Sequence, residues 1–473
     1  MATIQKHPEY EEMEDYYTEC YDLIEKGDSK TVKGEGVTYL PKLESMILDG
    51  GVQGTTDYNT FKQYAIWRDI PKQSLSQITG VMFEKKSDYN LPTQIEDYKN
   101  SVTVNGQGLS FLETLTTFSQ LTYGRCGLIA SPVNDITGVK LPVITINEAP
   151  TIINWHTSVN DKGDLIYDMI TIMNTEQEYN EDNHSYSDLI FYTIHALSPE
   201  NIYYKVRIAE TDYDEFNKSY ETRLQHSSYI EPIFKGSFLN RVPFVSVNLT
   251  NVDDTIEIPP LYEQAKLSVH CYNASALYRK KSRQQTWALL LLAGFKTDED
   301  QDDVVSGIKS DGVMKTSNPN AKGEYITPAS EALAELGKSV MDLRIEAQEK
   351  GVVISEKNSV ESGTAIESRK GNQVNEYKTI AETRSKGIIK ILGIIMEWGF
   401  GIAETENDWI TPFTDYSKFI ATPEDLLKVV EAKNQGALPE EDVYNYAKRN
   451  GYTNFKDFAT FKANLPDSVY NEE

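Results

Sequence analysis

PPLYEQAKLSVHCYNASALYRKKSRQQTW, residues 259–287, decides how the chain is divided. After Pro259 and Pro260 come 27 residues without Gly or Pro. That predicts one uninterrupted helix, about 40 Å long at 1.5 Å per residue. A turn-rich stretch follows, FKTDEDQDDVVSGIKSDGVMKTSNPNAKGEYITP. From Ala329 a second helix is predicted, on which Leu333, Leu336, Val340, Leu343 and Ala347 repeat at three-four spacing as a narrow apolar seam. Next, GVVISEKNSVESGTAIES reads as a loop. A third long helix starts near Arg369 and carries Val374, Tyr377, Ala381, Arg384, Ile388, Ile391, Ile395 and Trp398 in one stripe that only Arg384 interrupts. By periodicity alone, both stripes favour packing within one subunit over a seam between subunits.

Working outward, residues 1 to about 135 read mainly as helix, as in YEEMEDYYTECYDLIEKG and SFLETLTTFSQLTYGRCG. From about 136 to 257 the texture changes to short β-branched and aromatic runs, LPVITINEAP, LIYDMITIM, LIFYTIHAL, NIYYKVRIAE and VPFVSVNLT, divided by Asn, Asp, Gly and Pro. That predicts an antiparallel meander. EQEYNEDNHSYSD, between two of these runs, has five acids and no base and is expected to be an exposed loop. At the far end, ATPEDLLKVVEAKNQGALPEEDVYNYAKRNGY predicts a helix pair, with Thr422 as cap, Pro423 at the first helical position, Gly436 as stop and Pro439 before the second helix. The fold class is therefore α+β, without internal repeats.

The chain has 473 residues, more than one compact core usually organises, so several domains are expected. Its 29 Tyr and 16 Phe suffice for real cores. Cys20, Cys126 and Cys271 are odd in number and far apart, which supports neither a disulfide framework nor a Cys-based metal site. The acidic N-terminus has no apolar core, and the longest uncharged apolar run is Trp287 to Phe295, so neither a signal peptide nor a membrane span is expected. With 46 basic and 72 acidic side chains the net charge is −26, which argues against a protein that grips nucleic acid through its phosphates.

Motifs give no support for catalysis and imply no cofactor. Gly337-Lys338-Ser339 has the end of a phosphate-binding loop, but the required glycine five residues earlier is Ala332, and ASEALAEL reads as helix rather than strand. Asp298, Asp300 and Asp302 alternate as in a calcium loop, yet the sixth position is Asp303 and the twelfth Lys309, where Gly and Glu are needed. The six histidines, His7, His156, His184, His195, His226 and His270, fall singly. Charge placement is more informative. From Ile258 to Lys296 there are six bases against the single acid Glu263, and Arg279, Lys280, Lys281 and Arg283 cluster at the end of the first long helix. Such a cluster can meet phosphate or an acidic partner, or is a solvated face or pairs with the adjacent DEDQDD.

This order of elements resembles the portal proteins of tailed bacteriophages, the head-to-tail connector rings. SLSQITGVMFEKK, LTYGRCGLIASP, APTIINWH and RVPFVSVN look like stretches of one portal subfamily, and QGALPEEDVYNYAKRNG is similar to the closing helix pair of many portals. The likeness covers residues 60 to 455, and the order of elements carries it. The resemblance implies a dodecameric homo-oligomeric ring at a unique capsid vertex of the virion. Viral DNA would be packaged and ejected through it. Its partners would be double-stranded DNA passing without tight binding, the terminase large subunit, head-completion or adaptor proteins, and major capsid or scaffolding proteins, with no membrane.

Segment by segment, the resemblance makes residues 1–257 a wing of helical and β-rich parts, 258–286 and 329–350 antiparallel stem helices, and 287–328 a small α/β clip. It makes 351–367 a tunnel loop, 368–410 a long wing helix and 411–473 a short helical crown. Lys350, Lys357, Ser359, Ser362 and Gly363 become candidate DNA contacts in the tunnel loop, and Arg279, Lys280, Lys281 and Arg283 candidate contacts to DNA or a partner on the stem. Leu333, Leu336, Val340, Leu343 and Ala347 become packing residues between stem helices and neighbours. A different structural virion protein, a minor capsid or adaptor component, shares the acidity and lack of catalytic motifs; an uncharacterised soluble enzyme is the remaining alternative.

Overall fold

The computed structural model describes residues 5–48, 51–132, 140–159, 163, 165–180, 184–216, 218–286, 289–293, 320, 322–326, 331–350, 363–402, 408–416, 423–449 and 453–464. Helices α1 (Pro8–Cys20), α2 (Ser29–Gly34), α3 (Glu44–Leu48), α4 (Gly51–Tyr64) and α5 (Ile70–Met82) lead to strand β1 (Asp88–Tyr89) and α6 (Leu109–Tyr123). Strands β2 (Arg125–Ser131), β3 (Val143–Glu148), β4 (Ile152–Val159), β5 (Leu165–Asn180), β6 (Ser185–Leu197) and β7 (Tyr203–Ala209) follow. After the short helices α7 (Tyr213–Phe216) and α8 (Tyr220–Leu224) come β8 (Phe244–Asn248) and the long α9 (Tyr262–Thr286). The remainder is β9 (Leu289–Ala293), β10 (Lys322–Ile326), α10 (Glu331–Glu349), α11 (Gly363–Phe400), β11 (Ile410–Thr411), α12 (Pro423–Asn434), α13 (Glu440–Arg449) and α14 (Phe458–Ala463). The fold class is α+β.

The chain forms two compact units. The first comprises Met1–Lys26, Pro71–Glu263 and Lys350–Glu473, the second Gly27–Ile70 and Gln264–Glu349. Residues 27–70, which the sequence division placed within 1–257, thus group with the two helices of 258–350.

In the first unit, the antiparallel sheet β3-β2-β8 has helices α6 and α11 packed against it. Covered in this way, β2 is buried along nearly its whole length, hence the apolar run LIA in the strand. The α11 stripe is core: Tyr377, Ala381, Ile388, Ile391, Ile395 and Trp398 are all buried. Helix and sheet meet closely at Gly387, where a Cβ would fall 2.4 Å from Val247 Cγ2, so a larger residue would force one of them to move.

The second sheet is the meander β4-β5-β6-β7, antiparallel throughout. Along β7 the buried Tyr204, Val206 and Ile208 alternate with Lys205 and Arg207, as a half-covered strand requires. Here one expectation is corrected: EQEYNEDNHSYSD is largely strand, not loop. β5 runs to Asn180 and β6 starts at Ser185, with Glu176 opposite Leu189 and Tyr179 opposite Tyr186. Cross-strand backbone pairing and the Tyr179–Tyr186 ring contact, 5.0 Å between centroids, prevail over the polar composition. The start of β6 is exposed, with Tyr186 at 66%.

In the second unit, Gln264 Nε2 donates to the carbonyl of Ala347 at 2.9 Å, while Tyr278, fourteen residues on, lies against Gly337. Contacts that advance along α9 as they recede along α10 make the two helices antiparallel. Residues 27–70 pack beside them: Trp67 sets its ring edge-on to Tyr272 at 5.8 Å and donates its indole N–H to the carbonyl of Gly27 at 2.8 Å. Of the 287–328 segment, the described residues are chiefly β9 and β10, paired antiparallel from Leu289↔Ile326 to Ala293↔Lys322. No helix among the described residues is long and apolar enough to cross a membrane.

Candidate functional site

The basic cluster on α9 divides once it is folded. Arg279 and Arg283 line a cleft of about 430 Å³ in the second unit, where Arg68 and Arg344 join them. Among the described residues the remaining lining is apolar or hydroxylic, with Tyr64, Tyr278, Ser275 and Ser282 beside Ile66, Val340 and Met341, and contains no carboxylate. Arg283 stacks its guanidinium 3.8 Å from the centre of the Tyr64 ring. Lys280 sits 6.0 Å from the centre of the Phe61 ring, and Lys281 is exposed outside the cleft lining. The cation field reaches the cleft wall at Cys271: burial pushes its thiol pKa up, and the charges of Arg68 and Arg344 pull it the other way. The guanidiniums of Arg68, Arg279 and Arg344 line one cleft and can act as an anion receptor, since each offers a planar fork that matches an oxyanion.

Sequence reasoning found Arg279 and Arg283 because they are adjacent on one helix. It missed Arg68 and Arg344, each alone in its own segment; only the packing of three segments brings them to the cluster.

The α10 seam is covered unevenly. Ala347 is buried, but Leu333, Leu336, Val340 and Leu343 are each only half-buried, and the neighbouring Met341 is 53% exposed. The α11 stripe has the same spacing and is closed over by its own subunit. Lys350 is exposed just beyond α10, and Gly363 is the first residue of α11. Lys357, Ser359 and Ser362, and likewise Asp298, Asp300 and Asp302, lie outside the described residues. Gly337, Lys338 and Ser339 stand inside α10, where the glycine lets Tyr278 approach.

Arg384, the break in the α11 stripe, belongs to a buried polar cluster of the first unit. Its guanidinium reaches Glu113 of α6 at 3.3 Å and donates to Thr117 Oγ1 at 3.0 Å, over the Phe83 ring at 4.7 Å. Glu113 also accepts hydrogen bonds from Ser87 at 2.8 Å and Tyr89 at 2.5 Å. Burial, then the Glu113 charge, pushes the Tyr89 pKa up and keeps the phenol protonated as donor. Arg384 and Glu113 are each at most 2% exposed, so the cluster is closed to a substrate and ties α6 and α11 to the segment 83–89.

Two of the histidines serve local structure. His7 stacks on Trp155 at 3.9 Å, and His195, buried against Tyr203 with a 2.7 Å hydrogen bond, has its pKa pushed down to about 3 by burial and Lys205. Among the described residues no group of His, Cys, Asp and Glu is arranged to hold a metal ion.

No protein-family model and no curated protein matches the chain. Among solved structures it is similar to the neck of an empty gene transfer agent particle computed with C6 symmetry, at TM-score 0.38 and 10% identity over 81% of this chain and 90% of that one. A chain of the native gene transfer agent virion gives TM-score 0.38 and 11% identity over 84% and 96%, and the native neck computed with C12 symmetry 0.34 and 10% over 79% and 88%. Scores this low do not establish a shared fold.

Proposed function

We propose that the chain is a structural subunit of a phage-like virion, and more specifically a portal-type ring subunit through which viral DNA is packaged and released. The observation that carries this reading is the contrast between two apolar stripes of equal period. The α11 stripe is sealed within its own subunit, whereas the α10 stripe stays half open beside an antiparallel partner helix. A helix that keeps such a seam in a stable protein needs a covering surface, and an identical neighbour supplies one at every position of a closed ring. The order of elements in the sequence, which resembles portals, supports the same reading.

Under this reading the α9–α10 pair is the stem, and the segment after Lys350 reaches towards the DNA. The net charge of −26 fits a conduit: repulsion keeps the duplex from adhering, while a few placed cations give it only weak, transient contacts. The terminase large subunit, adaptor or head-completion proteins, and capsid or scaffolding proteins are the partners such a ring would meet. Negative-stain electron microscopy of the purified chain is the direct test. Rings are expected, and a monomer at every protein concentration would refute the proposal.

A further inference from the structure

The arginine-lined cleft has a counterpart on the same unit. Helix α10 presents Gly337, Val340, Met341 and Arg344 towards α9 and the cleft. At about 100° per residue, Glu335, Asp342 and Glu346 lie about half a turn round the helix from that face. All three are exposed, and none has an ion-pair partner among the described residues; Lys338 flanks them. A single helix therefore separates a cationic recess from an anionic ridge that points the opposite way.

Complementary surfaces on opposite sides of one body cannot satisfy each other within a subunit, nor do they make the self-matching contact of a two-fold dimer. They join copies head to tail, the heterologous geometry that generates rings. We propose that the Glu335–Asp342–Glu346 ridge of one copy docks on the Arg68–Arg279–Arg344 cleft of the next, with the half-covered Val340 and the exposed Met341 closing over at the rim. The occupant is a second copy of this chain. DNA fits less well: the cleft is walled by Ile66, Ile70, Val340 and Met341 as well as by cations, and the chain as a whole repels a polyanion. Carboxylates on a neighbouring helix supply the matching charge within a largely apolar rim.

This inference rests on the ring reading and refines it. The test uses two full-length variants, Arg68→Glu with Arg279→Glu, and Asp342→Lys with Glu346→Lys. Folding is checked by circular dichroism, and assembly by light scattering after size exclusion and by electron microscopy. Each variant alone is expected to lose ring assembly, needing at least tenfold more protein to associate. Mixed in equal amounts they should assemble again as alternating copies, because the intact ridge of one meets the intact cleft of the other and the reversed lysine ridge meets the reversed glutamate cleft. A chain carrying all four substitutions should regain rings. Wild-type assembly should weaken as salt is raised.

Rings from either variant at wild-type concentration overturn the contact while leaving the ring reading in place. A mixture that stays monomeric with both chains folded also overturns it. Loss of binding to a fluorescein-labelled duplex by the arginine variant, with its rings intact, would make the cleft a DNA site instead. A wild-type chain that never associates would remove both readings. Should a reversal fail to fold, the neutral pairs Arg68→Gln with Arg279→Gln and Asp342→Asn with Glu346→Asn replace it. They are expected to associate at least tenfold more weakly than wild type and with a shallower salt dependence; unchanged assembly would overturn the contact.

Discussion

Replacing Glu113 by Gln keeps the shape of the side chain and removes its charge, leaving the Arg384 guanidinium alone in the core between α6 and α11. Both side chains are at most 2% exposed, so water cannot take over the solvation. Removing one partner of a buried ion pair costs about 3–5 kcal/mol, because the surviving charge keeps its desolvation penalty and loses its compensation. The amide oxygen can still accept from Ser87 or Tyr89 but not satisfy both, which adds to the loss. With a urea slope of about 2 kcal/mol per molar, the midpoint should fall by roughly 1.5–2.5 M. Arg384→Met should sit at the lower end, since the carboxylate left behind keeps two hydroxyl donors. The double variant Glu113→Leu with Arg384→Met buries no charge, and its loss should be smaller than the sum of the single losses by about 2 kcal/mol or more. The assay is urea unfolding followed by tryptophan fluorescence, at a protein concentration where the oligomeric state of all variants is the same. A Glu113→Gln protein within about 0.5 kcal/mol of its parent, or additive single losses, would refute the reasoning.

Further outcomes are open to measurement. Gly387→Ala places a Cβ 2.4 Å from Val247 Cγ2 and should cost about 1–3 kcal/mol in the same assay, most of it recovered in a Val247→Ala background; an unaffected single variant would show that helix and sheet are not in close contact there. Glu148 is pushed from 4.5 up to about 7 by burial first and the Glu25 charge second. The folded state then binds the proton more tightly than the unfolded one, so this group's contribution is complete below pH 4.5 and is lost as pH rises through about 7. After allowance for solvent screening the loss is about 1–2 kcal/mol, and Glu148→Gln should be more stable than wild type at pH 8 but not at pH 4. His195 slopes the other way between 6.5 and about 3, because its proton binds better in the unfolded chain. An identical pH profile for Glu148→Gln and wild type would contradict the Glu148 assignment. Finally, deleting 353–363 should leave rings intact and impair DNA packaging or retention in a packaging assay; normal packaging would remove the tunnel-loop proposal.

The legible parts of this fold were those whose information is local. Pro259-Pro260 followed by 27 uninterrupted residues marked a long helix, and α9 runs over Tyr262–Thr286. Three of the β-branched runs between 136 and 257 form β5, β6 and β7 of the meander, but LPVITINEAP and VPFVSVNLT were misplaced: as β3 and β8 they flank β2 in the other sheet, because which strand pairs with which is set by distant contacts and not by the period of two. The 176–188 segment shows where locality ends: polar composition suggested a loop, but backbone pairing with the opposite strand decides strand, and exposed hairpin arms tolerate polar residues on both faces.

The stripes on α10 and α11 draw the sharper line. Sequence by itself determined that both helices are amphipathic, that Arg384 breaks one stripe, that Arg279 and Arg283 lie together, and that the whole chain is strongly acidic. It could not decide which stripe is core, since three-four periodicity states only that a face is to be covered, not by what. Tertiary structure decided that α11 is sealed by its own sheet while α10 stays half open, and that Arg384 has Glu113 as its buried partner. It also brought Arg68 and Arg344 to the α9 pair and set the acidic ridge behind them. Those outcomes depend on contacts between residues tens to hundreds of positions apart, and no local pattern encodes which distant segments will meet.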